Sequence, residues 1–361
     1  MRRSILLALV CAPAIAGAQG FADGGLRLAP QMASYTLEQN GTKTKINEIA
    51  VPFAYLLPIT SRLTFDLATA FAQATVEASG KSTISGLTDT QLRLNYTLGT
   101  DAVIVTAGVN VPTGQYKVAD DKVAAAGQIG NDFLSFPVSS FGNGLAGTGG
   151  VALARTLGAW NVGLGASFRK TAEFGAFGAD TNATRFQPAD EVRARLGVDR
   201  EALGGRMMLG VVYSVFGADA CAGCETGISR STYSTGDRLI GQAAFDIPLS
   251  SSQLYVAAWV LHHAAGETVA GTAPAEDIAN AQLSLGFNLG SLFLEPNLEA
   301  RYWTVDGERR GSLGYAGVRT RFDMGPMQIS PSLSYAKGKL EGTPSTDITG
   351  FKGGLTIRIG R

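Results

Sequence analysis

Charge is scarce in this chain and favours neither sign. Only 17% of its 361 residues are charged, and 30 Lys and Arg stand against 30 Asp and Glu. Nucleic-acid binding calls for a basic face, which this balance does not supply. Long apolar runs are missing too. After the N-terminus no stretch approaches the ~20 apolar residues of a membrane-spanning helix, so a helical membrane protein is excluded. Extended helical periodicity is absent, which argues against a soluble α/β enzyme. Histidine is limited to His262 and His263, and cysteine to three residues. What is plentiful is glycine, 46 residues or about one in eight, against a usual ~7%. A hydrophobic content of 45% is too high for a disordered chain.

The N-terminus reads as an export signal. Arg2 and Arg3 form a charged start, Ile5–Ile15 an apolar run, and Ala16-Gly17-Ala18 a small-x-small cleavage pattern before Gln19. Residues 1–18 are thus expected to be a signal peptide and 19–361 the mature protein. Cys11 leaves with the signal. Cys221 and Cys224 remain as a CxxC pair. No second pair exists to complete a zinc site, and no helix start follows to lower a thiol pKa. In an exported chain, a short structural disulfide between them is expected.

The dominant period is two. In Ser291–Trp303, Leu292, Leu294, Pro296, Leu298, Ala300 and Tyr302 share one face, while Phe293, Glu295, Asn297, Glu299, Arg301 and Trp303 share the other. The same alternation recurs at 91–98, 191–199, 282–289 and 318–324. Connections alternate in length. Tight turns are expected near Pro58–Ser61, Gly99–Asp101, Gly158–Ala159, Leu203–Gly205, Leu249–Ser251, Leu289–Ser291 and Met324–Pro326. Longer loops are expected near Asn40–Lys43, Ala78–Thr83, Pro112–Asn143, Gly175–Gln187, Gly217–Arg230, Ala264–Glu276, Val305–Arg310 and Lys339–Ser345. Short turns at one end and long loops at the other are the pattern of an outer-membrane barrel. Lipid tolerates β-structure only where closure leaves no unpaired edge. The expected fold is therefore all-β, a closed antiparallel transmembrane barrel of about sixteen strands, with fourteen as the alternative. Its turns would be periplasmic and its long loops external. Tyr55, Tyr96, Trp160, Phe174, Phe186, Phe245, Phe322 and Tyr335 are expected near strand ends, at headgroup depth.

Three groups of residues bear on function. Arg193, Arg195, Glu295, Glu299, Arg301, Arg319, Arg321 and Asp323 fall on lumen faces. They can form mutually neutralising pairs, a charged constriction, or both. The loop 112–143 is unusually apolar for its length. Asp120-Asp121 could open a helix with a Val123, Ala126, Ile129, Phe133 stripe. Such a loop is expected to fold into the lumen mouth, with Val123, Ile129, Phe133, Leu134 and Phe136 along a substrate path. Adjacent His262 and His263 cannot share a strand face; His263 is expected inward and His262 outward. With no Gly-x-Ser-x-Gly and no paired acid, neither catalysis nor metal binding is expected. Gly147-Thr148-Gly149-Gly150 lacks the Lys-Ser or Lys-Thr of a phosphate loop.

Two segments resemble a known family. Leu87-Thr88-Asp89-Thr90-Gln91-Leu92-Arg93-Leu94-Asn95-Tyr96 is similar to a strand of the FadL-like superfamily of outer-membrane transporters. Val109-Asn110-Val111-Pro112-Thr113-Gly114 resembles the end of the following strand, especially in the MetA-like branch associated with phenol degradation. The likeness covers Gly86–Gly114. It implies a channel for poorly soluble small molecules with passive, binding-assisted entry. Two features depart from the pattern: strand one begins near Gly24, leaving no room for an N-terminal hatch, and Ile357–Arg361 lacks a terminal aromatic.

The expectation is an outer-membrane channel, not an enzyme, for small hydrophobic or aromatic molecules. Its partners would be outer-membrane lipid, apolar solutes and the barrel-assembly machinery, with no cofactor. The alternatives are a general porin for hydrophilic solutes and a structural or surface-interaction barrel with a filled lumen.

Overall fold

The computed structural model describes residues 24–360 except 100–102, 116, 176–183, 203, 224–230 and 269–270. The expected signal peptide, Cys11 and Cys224 lie outside the described residues. Sixteen strands follow one another in the chain. They are β1 (Gly25–Leu28, continued by Gln31–Gln39), β2 (Thr42–Pro58), β3 (Leu63–Glu77) and β4 (Lys81–Leu87, continued by Thr90–Leu98). Next come β5 (Val103–Val111), β6 (Ala146–Leu157), β7 (Trp160–Thr171) and β8 (Glu191–Ala202). Then follow β9 (Gly205–Phe216), β10 (Arg238–Leu249), β11 (Ser252–His263) and β12 (Glu276–Leu289). The last four are β13 (Leu292–Val305), β14 (Glu308–Met324), β15 (Met327–Leu340) and β16 (Thr346–Gly360).

Each strand pairs antiparallel with its chain neighbours, and β1 closes the ring on β16. Leu28 gives way to Gln31 across Ala29-Pro30, and both halves of β1 pair with β2 and β16. Both halves of β4 pair with β3 in the same way. The strand number is sixteen, and the fourteen-strand alternative falls away.

Gly25 lies opposite Gly360, so both described ends of the chain sit with the seven tight turns. At the other end the loops are less uniform than expected. Three of the eight expected long ones are tight. The segments near Asn40–Lys43 and Val305–Arg310 reduce to Asn40-Gly41 and Asp306-Gly307 between long strands. All four of these residues have positive φ (51°, 78°, 49° and 78°), the type I′ geometry that Asn-Gly and Asp-Gly favour. The segment near Ala78–Thr83 shortens to 78–80. The hydrophilic composition of these segments belongs to strand ends that stand above the lipid. Real loop mass is confined to 112–145, 172–190, 217–237 and 264–275. Parts of two of these, Phe174–Gly175, Arg185–Gln187, Ala218–Ala222 and Ser231–Ser234, pair into a separate small sheet.

Alternation sorts the side chains. Every strand exposes at least one large apolar side chain outward: Met32, Ile49, Phe71, Leu94, Val105, Val151, Leu164, Leu196, Val211, Leu239, Val256, Leu283, Leu298, Val318, Leu333 and Phe351, in strand order. In water such a belt would be a large aggregation surface. In hydrocarbon it is the solvated face, because apolar side chains lose nothing there. Tyr55, Tyr96, Trp160, Phe245 and Phe322 point outward near the turn end, where a headgroup girdle belongs, and Tyr335 points outward nearer the loops. Phe174 and Phe186 do not join a girdle. They meet edge to face at 6.0 Å in the small loop sheet. Among the described residues no helix is long and apolar enough to cross a membrane. The crossing is made by strands, and the chain is a closed sixteen-stranded antiparallel β-barrel with an apolar outer belt.

Candidate functional site

The hydrophobic core lies inside the barrel, not between two sheets. It joins the long loop, 112–145, to the inner wall on one side only. Tyr35, Ile46, Ala72, Ala74, Ile84, Leu313, Tyr315, Ala336 and Ile348 are its buried wall residues, from β1–β4 and β14–β16. Ile278 on β12 adds to it, and Trp259, Leu261 and Trp303 from β11 and β13 pack against it. No wall residue of β5–β10 belongs to this cluster. Over half its circumference, then, the wall is apolar on both faces towards the loop end.

The loop helix α1 (Val123–Ile129) lies on β2, β3 and the first half of β4. The inward residues Ala70, Ala72 and Ala74 are small enough to let a helix approach the strand. The buried face of α1 is Ala125 and Ile129. Of the expected stripe, Ala126, Ile129 and Phe133 join the apolar side, but Val123 is 45% exposed and does not. Ile129, Phe133, Leu134 and Phe136 do come together, but with only 1%, 1%, 2% and 7% of their surface exposed. Phe133 stacks on Trp303 at 5.4 Å, and Phe136 meets Tyr35 edge to face at 5.4 Å. These side chains are packed against the wall and present little surface to a passing solute.

A polar clasp holds the segment in place. Three consecutive loop carbonyls are captured by three different strands. Arg301 Nη1 on β13 donates to Phe133 O (2.7 Å), Tyr35 Oη on β1 to Leu134 O (2.9 Å), and Lys352 Nζ on β16 to Ser135 O (3.0 Å). Glu48 on β2 accepts from the amide of Val138 (2.7 Å). Ser135 itself is left-handed, φ 53°, a conformation that costs a non-glycine residue energy and persists only where neighbours impose it. Behind the clasp, the hydroxyls of Tyr35 and Tyr315 are 2.9 Å apart. Arg301 also donates to Glu299 (2.6 Å), which accepts from Asn280 (2.6 Å). Lys352 sits 4.8 Å above the Tyr315 ring. Hydrogen bonds to charged groups contribute about 1.5–3 kcal/mol each, so this loop is fixed.

The base of the loop has a clamp of its own. Asp89, at the break in β4, accepts from the amides of Gly114 (3.1 Å) and Asn143 (2.7 Å) and from Asn110 Nδ2 (2.9 Å). One carboxylate thereby ties both legs of the loop to the wall. A Cβ at Gly114 would lie 1.9 Å from Phe141 O, and one at Gly142 would lie 2.8 Å from Asp89 Oδ1, so both legs need glycine. Asp89, Asn110 and Gly114 all sit in the two segments that carried the family resemblance. Their role in this chain is to close the loop's base.

All eight expected lumen charges point inward, on the faces opposite the apolar belt. Arg319 Nε donates to Glu295 (3.0 Å), Arg301 pairs with Glu299, and Arg321 with Asp323 (3.4 Å). Arg193 takes Glu191 (2.6 Å), which sequence reasoning had not singled out. Arg195 makes no ion pair among those resolved in the described residues. Sequence reasoning also missed Tyr35, Glu48, Tyr315 and Lys352. Of these only Tyr315 lies in a strand, β14, part of whose alternation was read, and the importance of all four depends on what faces them.

The free face of the lumen is β5–β10. Its inward positions carry Thr106, Gly108, Asn110, Thr148, Gly150, Gly163, Gly165 and Ser167 on β5–β7, and Glu191, Arg193, Arg195 and Asp199 on β8. Those of β9 and β10 are mixed, with Arg206, Ser214, Arg238, Gln242 and Asp246 beside the apolar Met208, Val212 and Ile240. His262 and His263 point to opposite sides, as expected. His262 Nδ1 bonds Asp277 Oδ1 (2.8 Å) on the outer face, and His263 Nε2 bonds Thr235 O (2.8 Å). Cys221 is disulfide-bonded.

No protein-family profile matches the sequence, and no curated protein matches it significantly. Solved structures do. A mutant porin of Rhodopseudomonas blastica is 14% identical, covering 92% of this chain and 98% of its own, with a TM-score of 0.38. OmpT of Vibrio cholerae is 10% identical, covering 92% and 96%, with a TM-score of 0.44. Pseudomonas putida OprB is 14% identical, covering 93% of each chain, with a TM-score of 0.47. The barrel topology described above stands on its own strand pairing.

Proposed function

We propose that this outer-membrane barrel is a passive diffusion channel for small water-soluble solutes, with its narrowest passage between the long loop and the inner faces of β5–β10. One observation carries the reading. The loop's apolar side chains are buried against β1–β4 and β11–β16, and three successive carbonyls are clasped behind them. What remains to line a path is mostly glycine, small polar and charged side chains, with Met208, Val212 and Ile240 the apolar exceptions on β9 and β10. Apolar entry, the reading that the sequence resemblance favoured, relied on those same side chains being available to a solute.

The test is ion conductance of the refolded mature protein in a planar bilayer, beside a variant lacking 119–138. That deletion keeps the Asp89 clamp. Steady conductance from the intact protein is the expected result. A silent intact protein that conducts once the segment is deleted would return the argument to a plugged channel for apolar solutes. Silence from both, in protein shown to be folded, would overturn the channel reading in favour of a filled structural barrel.

A further inference from the structure

The outer face of the barrel carries very little charge on its turn side. Strand register and the exposed apolar belt fix which positions face outward. The outward charged side chains, such as Glu38, Lys43, Lys81, Lys170, Asp277 and Lys337, stand almost all at the loop ends of their strands. Among the described strand residues, only Arg155 on β6 and Arg200 on β8 are charged, outward and on the turn-side half. Each lies two residues from the end of its strand. An arginine on the lipid face is costly at the bilayer midplane and nearly free at headgroup depth.

Trp160, on β7 between them, joins the two. Leu157 lies opposite Trp160, and Arg155 opposite Val162, in the β6–β7 register. Arg155 is therefore diagonal to Trp160, a separation that long side chains span. From the other side, the Arg200 guanidinium lies 4.9 Å from the centre of the Trp160 ring. Arg200 Nε donates to Glu201 O (3.4 Å), and its two Nη groups make no hydrogen bond among those resolved in the described residues. Arg155 is exposed and makes no hydrogen bond or ion pair there. Among the described residues no carboxylate shares this outward patch. Asp199 and Glu201 alternate to the inward face, where Arg206 takes Asp199 (3.0 Å). Towards the midplane, Val162, Leu164 and Val198 continue the patch as an apolar strip.

Guanidinium groups take phosphate oxygens through paired N–H donors, and tryptophan belongs at the level of the lipid headgroups. We propose that the Arg155–Trp160–Arg200 face of β6–β8 binds a phospholipid of net negative charge in the leaflet on the turn side. The lipid phosphate meets the guanidinium groups, and its acyl chains lie along Val162, Leu164 and Val198. Net charge sets the choice of lipid. A zwitterionic headgroup brings an ammonium, for which this patch offers no acid. The site is on the outer wall and does not depend on what crosses the lumen.

Tryptophan fluorescence reads the lipid at this site. Of the three tryptophans only Trp160 faces outward, since Trp259 and Trp303 pack against the core inside the barrel. The mature protein is refolded into phosphatidylcholine vesicles holding a minor fraction of lipid with brominated acyl chains, which quench a neighbouring indole. Brominated phosphatidylglycerol is compared with brominated phosphatidylcholine at equal mole fraction, and Trp160→Phe supplies the background. The expected result is quenching by phosphatidylglycerol as though it were enriched roughly tenfold beside Trp160. That is about threefold per arginine, the effect of a unit charge about 7 Å away in water. Arg155→Gln/Arg200→Gln should bring the two lipids level, while Lys337→Gln, at the loop end, keeps the preference. Equal quenching by the two lipids in the intact protein would overturn the inference, as would an unchanged preference in the folded double variant. Should the double variant not fold, salt decides on the intact protein. Raising it from about 0.1 M to about 1 M shortens the screening length from about 10 Å to about 3 Å and must lower the preference. A preference indifferent to salt rejects a site selected by charge.

Discussion

Replacing Arg301 by methionine tests whether the long loop is held by its clasp or merely by apolar packing. Methionine preserves the length of the stem and removes only the charged head. Arg301 has a side chain 3% exposed and donates to Phe133 O (2.7 Å) and Glu299 (2.6 Å). Breaking a buried pair by removing one partner costs about 3–5 kcal/mol, because the remaining charge is stranded. Glu299 keeps its bond from Asn280 and is 26% exposed, so the lower end, about 3 kcal/mol, applies. At ~1.4 kcal/mol per tenfold, local opening becomes about a hundred times more populated. Hydrogen exchange reads that population directly. The amides to follow are Leu134, bonded to Asn131 Oδ1 (3.1 Å), Ser135, bonded to Asn131 O (3.1 Å), and Val138, bonded to Glu48. They should exchange about a hundredfold faster in Arg301→Met, while ladder amides of β5–β10 do not change. Arg193→Gln, on the far wall, should leave the loop amides as they were. An acceleration of less than about tenfold would mean that packing alone secures the loop. Equal acceleration of the ladder would mean that Arg301 stabilises the barrel as a whole, and the clasp argument would fail.

Other perturbations report on other parts of the molecule. Asp89→Ala removes three hydrogen bonds to one carboxylate and should cost at least about 3 kcal/mol. Exchange at Gly114 and Asn143 would show it, and unchanged protection there would refute the clamp. Leu283→Arg puts a charge on the lipid face of β12 and should lower folding stability in vesicles by about 2–4 kcal/mol. A neutral effect in urea titrations of membrane-inserted protein would argue against hydrocarbon contact there. Asp190, before β8, accepts from the Thr171 amide (2.9 Å) and from Lys170 (3.2 Å), which hold its carboxyl below the usual range. Since the folded pKa is depressed, the anchoring is present above the ordinary carboxylate value of ~3.9 and is lost only as pH falls through the folded value. Protection of the Thr171 amide should thus persist at about pH 4; its loss already between about pH 6 and 5 would contradict the assignment.

Much of the barrel was readable because alternation and turn chemistry are local. Once Leu289–Ser291 and Met324–Pro326 are placed as turns, parity alone sends Glu295, Glu299, Arg301, Arg319, Arg321 and Asp323 inward. The structure places all six there. Asn40-Gly41 and Asp306-Gly307 carried an equally local signal, two residues suited to positive φ, which the polarity of their flanks obscured. The stripe on α1 was harder to read. In so short a helix Val123 and Ala125 compete for the inward side, and the structure puts Ala125 there beside Ile129, with Ala126 packed against the same core.

The sequence alone determined that this protein is a closed barrel and which way its charges face, and led to the expectation that one apolar loop turns inward. Each follows from interactions between residues close in the chain: pleat, turn conformation, and the cost of leaving apolar groups in water. The tertiary structure decided which half of the wall the loop covers and which side chains hold it. Tyr35, Glu48, Arg301, Tyr315 and Lys352 come from five strands spread over most of the chain. Alternation gives each of them a side but not an opposite neighbour, since that neighbour is set by the curvature of a closed ring. The same holds for Arg27 and Arg358, near opposite ends of the sequence, which become adjacent only when the first strand closes on the last.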